Sequence, residues 1–188
     1  SNFQFKKIDI NNYKKLEKTF KENNFYIVIN LAAQAGVRYS IENPRNYLDN
    51  NIVGFFNILE LCKEFNIKHL VYASTSSVYG DSKIFPLSEK STTDYPLSFY
   101  AATKKSNEIF AHSFSSMYGI PTTGLRFFTV YGPYGRKDMA VYKFTNNISN
   151  KKTNILFNSG KNLRDFTYID DVIFSIYKLI NRPSNKKI

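Results

Sequence analysis

Short apolar runs alternate along the chain with stretches of helical period, a pattern that argues for βαβ units and a parallel sheet. Residues 3–8 alternate and predict a strand; residues 11–23 predict a helix with Leu16 and Phe20 on one face. A second strand is expected over 26–31, then a helix over 47–65 whose apolar positions Val53, Phe56, Leu59 and Cys62 recur in steps of three. The run 69–73 reads as a third strand. Residues 100–118 read as a helix with Phe110, Phe114 and Met117 inward, closed by Gly119 and Pro121. A fourth strand over 122–128 ends at the turn Gly132-Pro133. Beyond it are expected a helix over 139–150, a short strand over 155–157 and a last helix over 170–181 begun by an Asp cap. Strand–helix pairing loosens after about residue 135. The expected organisation is therefore a sheet-and-helix core over 1–135, with 136–188 part of a smaller region interleaved with it.

At 188 residues, 43% hydrophobic and 22% charged, the chain can bury a substantial core. No apolar run approaches the roughly 20 residues that span a bilayer, so no membrane partner is expected. The one cysteine, Cys62, cannot form an internal disulfide, and a cytoplasmic protein is the expectation. A net charge of +11 raises nucleic acid as a partner. The lysines, however, fall in scattered pairs such as Lys6-Lys7, Lys104-Lys105 and Lys151-Lys152, not in one basic stripe, and most of the aromatics occupy strand or helix-face positions. No nucleic-acid partner is expected; an anionic small substrate remains compatible. His69 and His112 read as structural, and no Cys/His cluster suggests a metal.

The candidate chemistry lies in Tyr100-Ala-Ala-Thr-Lys104 and in Ser74-Thr75-Ser76-Ser77, which ends the third apolar run. A Tyr and a Lys four apart share a helix face, and a hydroxyl cluster at a strand's C-terminal end lies where open α/β sheets bind ligands. The bare spacing equally fits a half-buried tyrosine beside a snorkelling lysine. Its company changes the odds: the small-residue segment from Leu31 to Arg38 after a strand, then Asn51 to Gly54, the hydroxyl cluster and Tyr100/Lys104, in that order.

These stretches, with the run Gly124 to Pro133, Gly135 to Ala140 and Arg164 to Asp171, resemble the NAD-dependent sugar-nucleotide epimerase/dehydratase family of extended short-chain dehydrogenases/reductases. Within it the chain is most similar to the UDP-glucuronate 4-epimerases. The resemblance covers nearly the whole chain and implies a doubly wound (Rossmann) α/β fold with NAD as cofactor and a UDP-sugar as substrate, supplying polysaccharide biosynthesis. It assigns Tyr100 as the acid/base at the sugar 4-hydroxyl. Lys104 lowers the pKa of Tyr100 and binds the nicotinamide ribose, and Thr75 hydrogen-bonds the same sugar hydroxyl. Asp9 and Ile10 match the adenine position. Leu31, Ala32, Ala33 and Gln34 match the loop beside the cofactor, with Asn51 and Ser74 below it and Phe127 near the nicotinamide. Thr129, Arg136, Met139, Ala140, Ile155, Phe157 and Arg164 match positions around the nucleotide-sugar, where two arginines suit a diphosphate; for Arg164 the plainer reading is an ion pair with Asp165 or Asp170. Arg38, Ser76 and Ser77 face the sugar.

Dehydratases of this family carry an acidic pair after the Thr, and decarboxylating relatives a Glu in the same stretch. Ser76 and Ser77 stand there instead, so epimerisation is the expected reaction, with UDP-hexose or UDP-N-acetylhexosamine as alternatives to UDP-glucuronate. Homodimerisation through the helices at 47–65 and 100–118 is typical of the family. Asn30 departs from the His common at its position. The eight glycines include no G-x-G-x-x-G phosphate loop. The expectation is therefore a partial sheet lacking its first βαβ unit, which alone binds NAD weakly and is inactive. A non-catalytic scaffold is the alternative from another class.

Overall fold

The computed structural model describes residues 2–161, 163–180 and 182–183. Helix α1 (Tyr13–Lys21) opens on Asn12, whose side chain accepts from the Lys15 amide at 3.1 Å. It lays Leu16 and Phe20 into the core as predicted. Strand β1 (Ile27–Asn30) leads through α2 (Tyr39–Glu42), α3 (Pro44–Tyr47) and a π turn at Leu48–Val53 into α4 (Gly54–Glu64). Strand β2 (His69–Ala73) follows, then a 3-10 turn at Ser76–Tyr79, the long helix α5 (Phe99–Tyr118) and β3 (Thr122–Leu125). β1, β2 and β3 form a parallel sheet in that order, with Asn30 opposite Tyr72 and Ala73 opposite Leu125. The central strand β2 is buried from His69 to Tyr72, as a strand covered on both faces must be. Leu59, Leu61, Cys62 and Phe55 of α4 and Ala111 of α5 pack with Leu70 and Tyr72 of β2 in one cluster.

Residues Phe127–Asn181 make a second compact unit; the first runs to Arg126 and takes in the tail from Arg182. The second unit holds β4 (Thr129–Tyr131), α6 (Ala140–Ser149), a 3-10 turn at Phe157–Gly160, β5 (Phe166–Tyr168) and α7 (Ile169–Ile180), with β4 and β5 parallel. The expected division at 135/136 falls inside this unit, because residues 129–131 already belong to its sheet. Among the described residues no helix is long and apolar enough to cross a membrane.

Several elements differ from expectation. Residues 3–8 form no strand, and Phe3 and Phe5 lie exposed. Alternation supplies a strand with faces, but ladder hydrogen bonds make it a strand, and the ladder of this sheet runs through β1, β2 and β3. The three-step series holds only in part: Leu59 and Cys62 are buried, with Phe55 and Ile58, whereas Phe56 on α4 and Val53 in the π turn before it are exposed. A strict step of three falls about 60° short of a full turn, so Val53 and Cys62 end on opposite sides of the helix. Met117 is exposed too. A 20-residue helix runs about 30 Å, longer than the five-residue strand beneath it, so the last turn of α5 overshoots the core.

Of the strand expected over 122–128, only Thr122–Leu125 forms one, β3; residues 126–128 form no strand, and β4 begins at Thr129 in the other sheet. Residues 155–156 form no strand; Phe157–Gly160 is a turn with Ser159 and Gly160 at positive φ. Asp170 sits with Asp171 inside the first turn of α7, where carboxylates favour the helix dipole, and is not the residue before the helix. The expected end of that helix at Asn181 lies outside the described residues.

The corrected face of α4 is testable. Leu61→Ala should cost about 2–5 kcal/mol of unfolding free energy in denaturant titration, whereas Val53→Ala should cost less than about 1 kcal/mol. Equal costs at the two positions would contradict this packing.

Candidate active site

Helix α5 starts cleanly because the Ser98 side chain accepts from the Ala101 amide at 3.1 Å. That cap places Tyr100 in the first turn, Lys104 one turn later and Glu108 one turn beyond, all on one face. Lys104 is only 3% exposed, and its Nζ donates to the Ala73 carbonyl, the last residue of β2, at 2.9 Å. Burial lowers its pKa from 10.5 to about 8. A snorkelling lysine would have its charge in water; this one is held inside. The Tyr100 ring meets the buried Tyr47 ring edge-on, 6.0 Å between centroids.

Beyond Ala73 the chain turns along the same helix face. Ser74 Oγ donates to Glu108 Oε1 at 2.6 Å. Thr75 is extended and caps the 3-10 turn, its Oγ1 accepting from the Ser77 amide and donating to Ser77 Oγ, both at 3.2 Å. Ser76 and Ser77 are half-buried in that turn. Gly80 closes it at φ 60°, and the Tyr95 carbonyl oxygen sits where a Cβ would project, so a side chain is excluded twice.

The loop after β1 is fixed by an amide acting like a strand neighbour. Asn51, buried in the π turn, accepts from the Gln34 amide at 2.8 Å and donates to the Gln34 carbonyl at 3.0 Å. Its Nδ2 also reaches Thr103 Oγ1 on α5, and Asn107 Nδ2 donates to the Asn51 carbonyl at 2.7 Å. Wide π turns of this kind recur at functional sites. The Tyr47 hydroxyl lies 3.0 Å from the Ala35 carbonyl and 2.5 Å from that of Gly36. Leu31 and Ala32 remain exposed at the strand end and Ala33 half-buried. Asp9 is exposed and accepts from the Asn11 amide; the Ile10 carbonyl accepts from Asn57 on α4 at 2.9 Å. Arg38 is exposed at the start of α2.

The remaining expected residues belong to the second unit. Phe127 begins it, half-buried, and Thr129 donates its amide at 3.1 Å to the carbonyl of Asp165, the residue before β5. Arg136 is exposed and grips Asp138 through both Nε and Nη2, holding that carboxyl below its ordinary range. Met139 precedes α6, Ala140 opens it, and Ile155 is exposed; Phe157 starts the 3-10 turn. Arg164 is exposed and donates to the Leu163 carbonyl; among the described residues it forms no ion pair with Asp165 or Asp170.

Glu108 and Arg126 are not among the expected site residues, yet they anchor the hydroxyl segment. Arg126 meets Glu108 with Nε and Nη2, each at 2.9 Å. Burial pushes the Glu108 carboxyl up, but the hydrogen bonds from Arg126 and Ser74 outweigh it and leave it below the ordinary value. The available signal was the four-residue recurrence Tyr100, Lys104, Glu108, which continues the catalytic face by one turn.

Known proteins resemble this chain in sequence and in fold. Residues 1–188 match the family described as NAD dependent epimerase/dehydratase. Protein CapI of Staphylococcus aureus is 56% identical over 184 residues, 98% of this chain and 55% of that protein. A probable UDP-glucuronate 4-epimerase of Rhizobium meliloti is 52% identical over 161 residues, 86% of this chain and 47% of that protein. The crystal structure of UDP-glucuronic acid 4-epimerase from Bacillus cereus, in complex with UDP-glucuronic acid and NAD, matches with a TM-score of 0.91 at 38% identity. The match covers 98% of this chain and 58% of that one. The chain thus spans about half the length of the curated relatives it matches. On sequence and on fold, the chain belongs to the NAD dependent epimerase/dehydratase family.

Proposed function

We propose that the full-length protein is an NAD-dependent 4-epimerase of a UDP-sugar, with UDP-glucuronate and UDP-galacturonate as its interconverting pair. The observation that carries this reading is the buried Lys104 ammonium one helical turn from Tyr100. Its one hydrogen bond among the described residues goes to a backbone carbonyl, and no carboxylate neutralises it. Such a group has donors left for ribose hydroxyls and a charge that favours phenolate, so the donor set fits a nicotinamide nucleoside. Gln34 and the exposed Leu31 and Ala32 border that position on the β1 side, with Asp9 and Ile10 toward the adenine. When bound there, NAD would supply the acceptor and donor of hydride for C4 of the sugar.

The chain's own part is proton handling and orientation. Tyr100 as phenolate removes the 4-hydroxyl proton and later returns it, leaving no net redox change. Thr75, fixed by its own turn, holds that hydroxyl. Arg136 and Arg164 hold the diphosphate while the 4-keto sugar turns. Ser76 and Ser77 offer neutral donors and acceptors only, which supports epimerisation over elimination. The Rhizobium and Bacillus relatives support the uronate; a UDP-N-acetylglucosamine 4-epimerase of Methanobrevibacter ruminantium, matched at 33% identity with a TM-score of 0.83, keeps the amino sugar as the alternative to assay.

Incubating the full-length protein with NAD and UDP-glucuronate should yield UDP-galacturonate by NMR, with the reverse reaction also detectable. Turnover of UDP-N-acetylglucosamine instead would overturn the uronate assignment, and turnover of no UDP-sugar would overturn the enzyme. Tyr100→Phe should lower kcat by about 10²–10⁴-fold while sugar-nucleotide binding changes little.

Lys104 adds a pH signature. Its folded pKa of about 8 lies below its ordinary 10.5, so the folded state sheds the proton first. The buried charge therefore costs stability below pH 8, about 3 kcal/mol, and the cost is relieved as pH rises towards 10.5. Unfolding free energy relative to that of Lys104→Met should climb across this window. A constant difference between the two proteins would show that the ammonium is not desolvated.

A further inference from the structure

The ion pair between Glu108 and Arg126 lies outside the roles assigned above, and its contacts are unusually specific. Both carboxylate oxygens of Glu108 are taken by Arg126, and Oε1 also accepts the Ser74 hydroxyl at 2.6 Å. Ser74 is only 3% exposed. The Arg126 guanidinium lies 4.9 Å from the centre of the Tyr79 ring and donates through Nη1 to the Glu89 carbonyl at 3.2 Å. The pair therefore grips both ends of one short turn: Ser74 just before it and Tyr79 as its last residue. Thr75 lies between these two grips.

We infer that Glu108 and Arg126 are positioning residues, acting through Ser74 to hold the 75–79 turn where Thr75 addresses the substrate hydroxyl. The geometry favours this over a role in stability alone. Lys104 and Glu108, one helical turn apart, bond to the consecutive residues Ala73 and Ser74. Those two bonds fix the translation and the rotation of the segment against the helix that carries Tyr100. The turn's own bonds, between Thr75 and Ser77 at 3.2 Å, tie it only to itself. A carboxylate already saturated by a guanidinium is a rigid acceptor, and a rigid acceptor is what orientation requires.

The inference rests on the epimerase reading, and the test separates the two. In the full-length protein, Ser74→Ala removes one hydroxyl and leaves the ion pair in place, while Glu108→Gln keeps the shape and loses the charge. Each should lower kcat roughly 10-fold per folded molecule, with KM for the UDP-sugar within about two-fold. The double variant should be no slower than the slower single variant, because both act through the same bond. Amide hydrogen exchange should quicken over residues 75–80 in both variants and stay slow in β2. Unchanged kcat per folded molecule, a fall that merely follows the folded fraction, or losses that multiply in the double variant would overturn the inference. If Glu108→Gln does not fold, Ser74→Ala decides by the same kcat and exchange criteria. If the unaltered protein turns over no UDP-sugar, the functional reading fails. The exchange pattern over 75–80 then decides the positioning by itself: unchanged protection in Ser74→Ala refutes it.

Discussion

A lysine ammonium withdrawn from water has to be held by something, and here that is the carbonyl at the end of the central strand. The bond from Lys104 to Ala73 joins the two elements that carry the candidate site, helix α5 and the strand that leads into the hydroxyl segment. Much else follows from accommodating it. The small residues Ala101 and Ala111 on the buried side let α5 lie close, and Asn51 and Asn107 bond the same helix to the π turn that carries the cofactor-side loop. The buried charge is expensive, and the fold holds it one helical turn from Tyr100.

Side-chain amides do much of the splinting that strands do elsewhere. Asn51 pairs with Gln34 through a donor and an acceptor, as a neighbouring peptide would, and Asn57 closes the carbonyl of Ile10. These bonds hold irregular segments without extending the sheet into them, which leaves the backbone at the strand ends open to a ligand. Asn51, Asn57 and Asn107 all perform this work.

The strand β2 was legible in the sequence to the residue because four of its five side chains are buried, so pattern and structure describe one constraint. The helix α5 was legible to within a residue because its apolar face recurs at helical spacing and Gly119 ends it; the Ser98 cap at its start was not read. Legibility failed where the deciding factor lies elsewhere in the chain. Residues 3–8 alternate correctly, but alternation does not provide a neighbour. Val53 and Phe56 are apolar and sit at a regular step, but the step drifts around the helix, and the π turn just before adds its own residue to the winding. At the site, the motif residues Tyr100, Lys104 and Thr75 stood out by spacing and company. Glu108 did not, because its meaning comes from Arg126, eighteen residues away and just past the end of β3.

That same pair bears on which reaction the site can perform. Elimination needs a carboxylic acid able to give up a proton near the sugar, and Glu108 is a carboxylate within a hydrogen bond of the hydroxyl segment. Its state decides the matter. A carboxyl gripped by two guanidinium nitrogens and a serine hydroxyl, and held below its ordinary pKa, is ionised at neutral pH with both oxygens committed. It can accept and orient, but it has no proton to donate. With Ser76 and Ser77 where an acidic pair would stand, the segment offers hydroxyls and no acid. Such a segment suits the proposed epimerisation, in which no group is lost from the sugar.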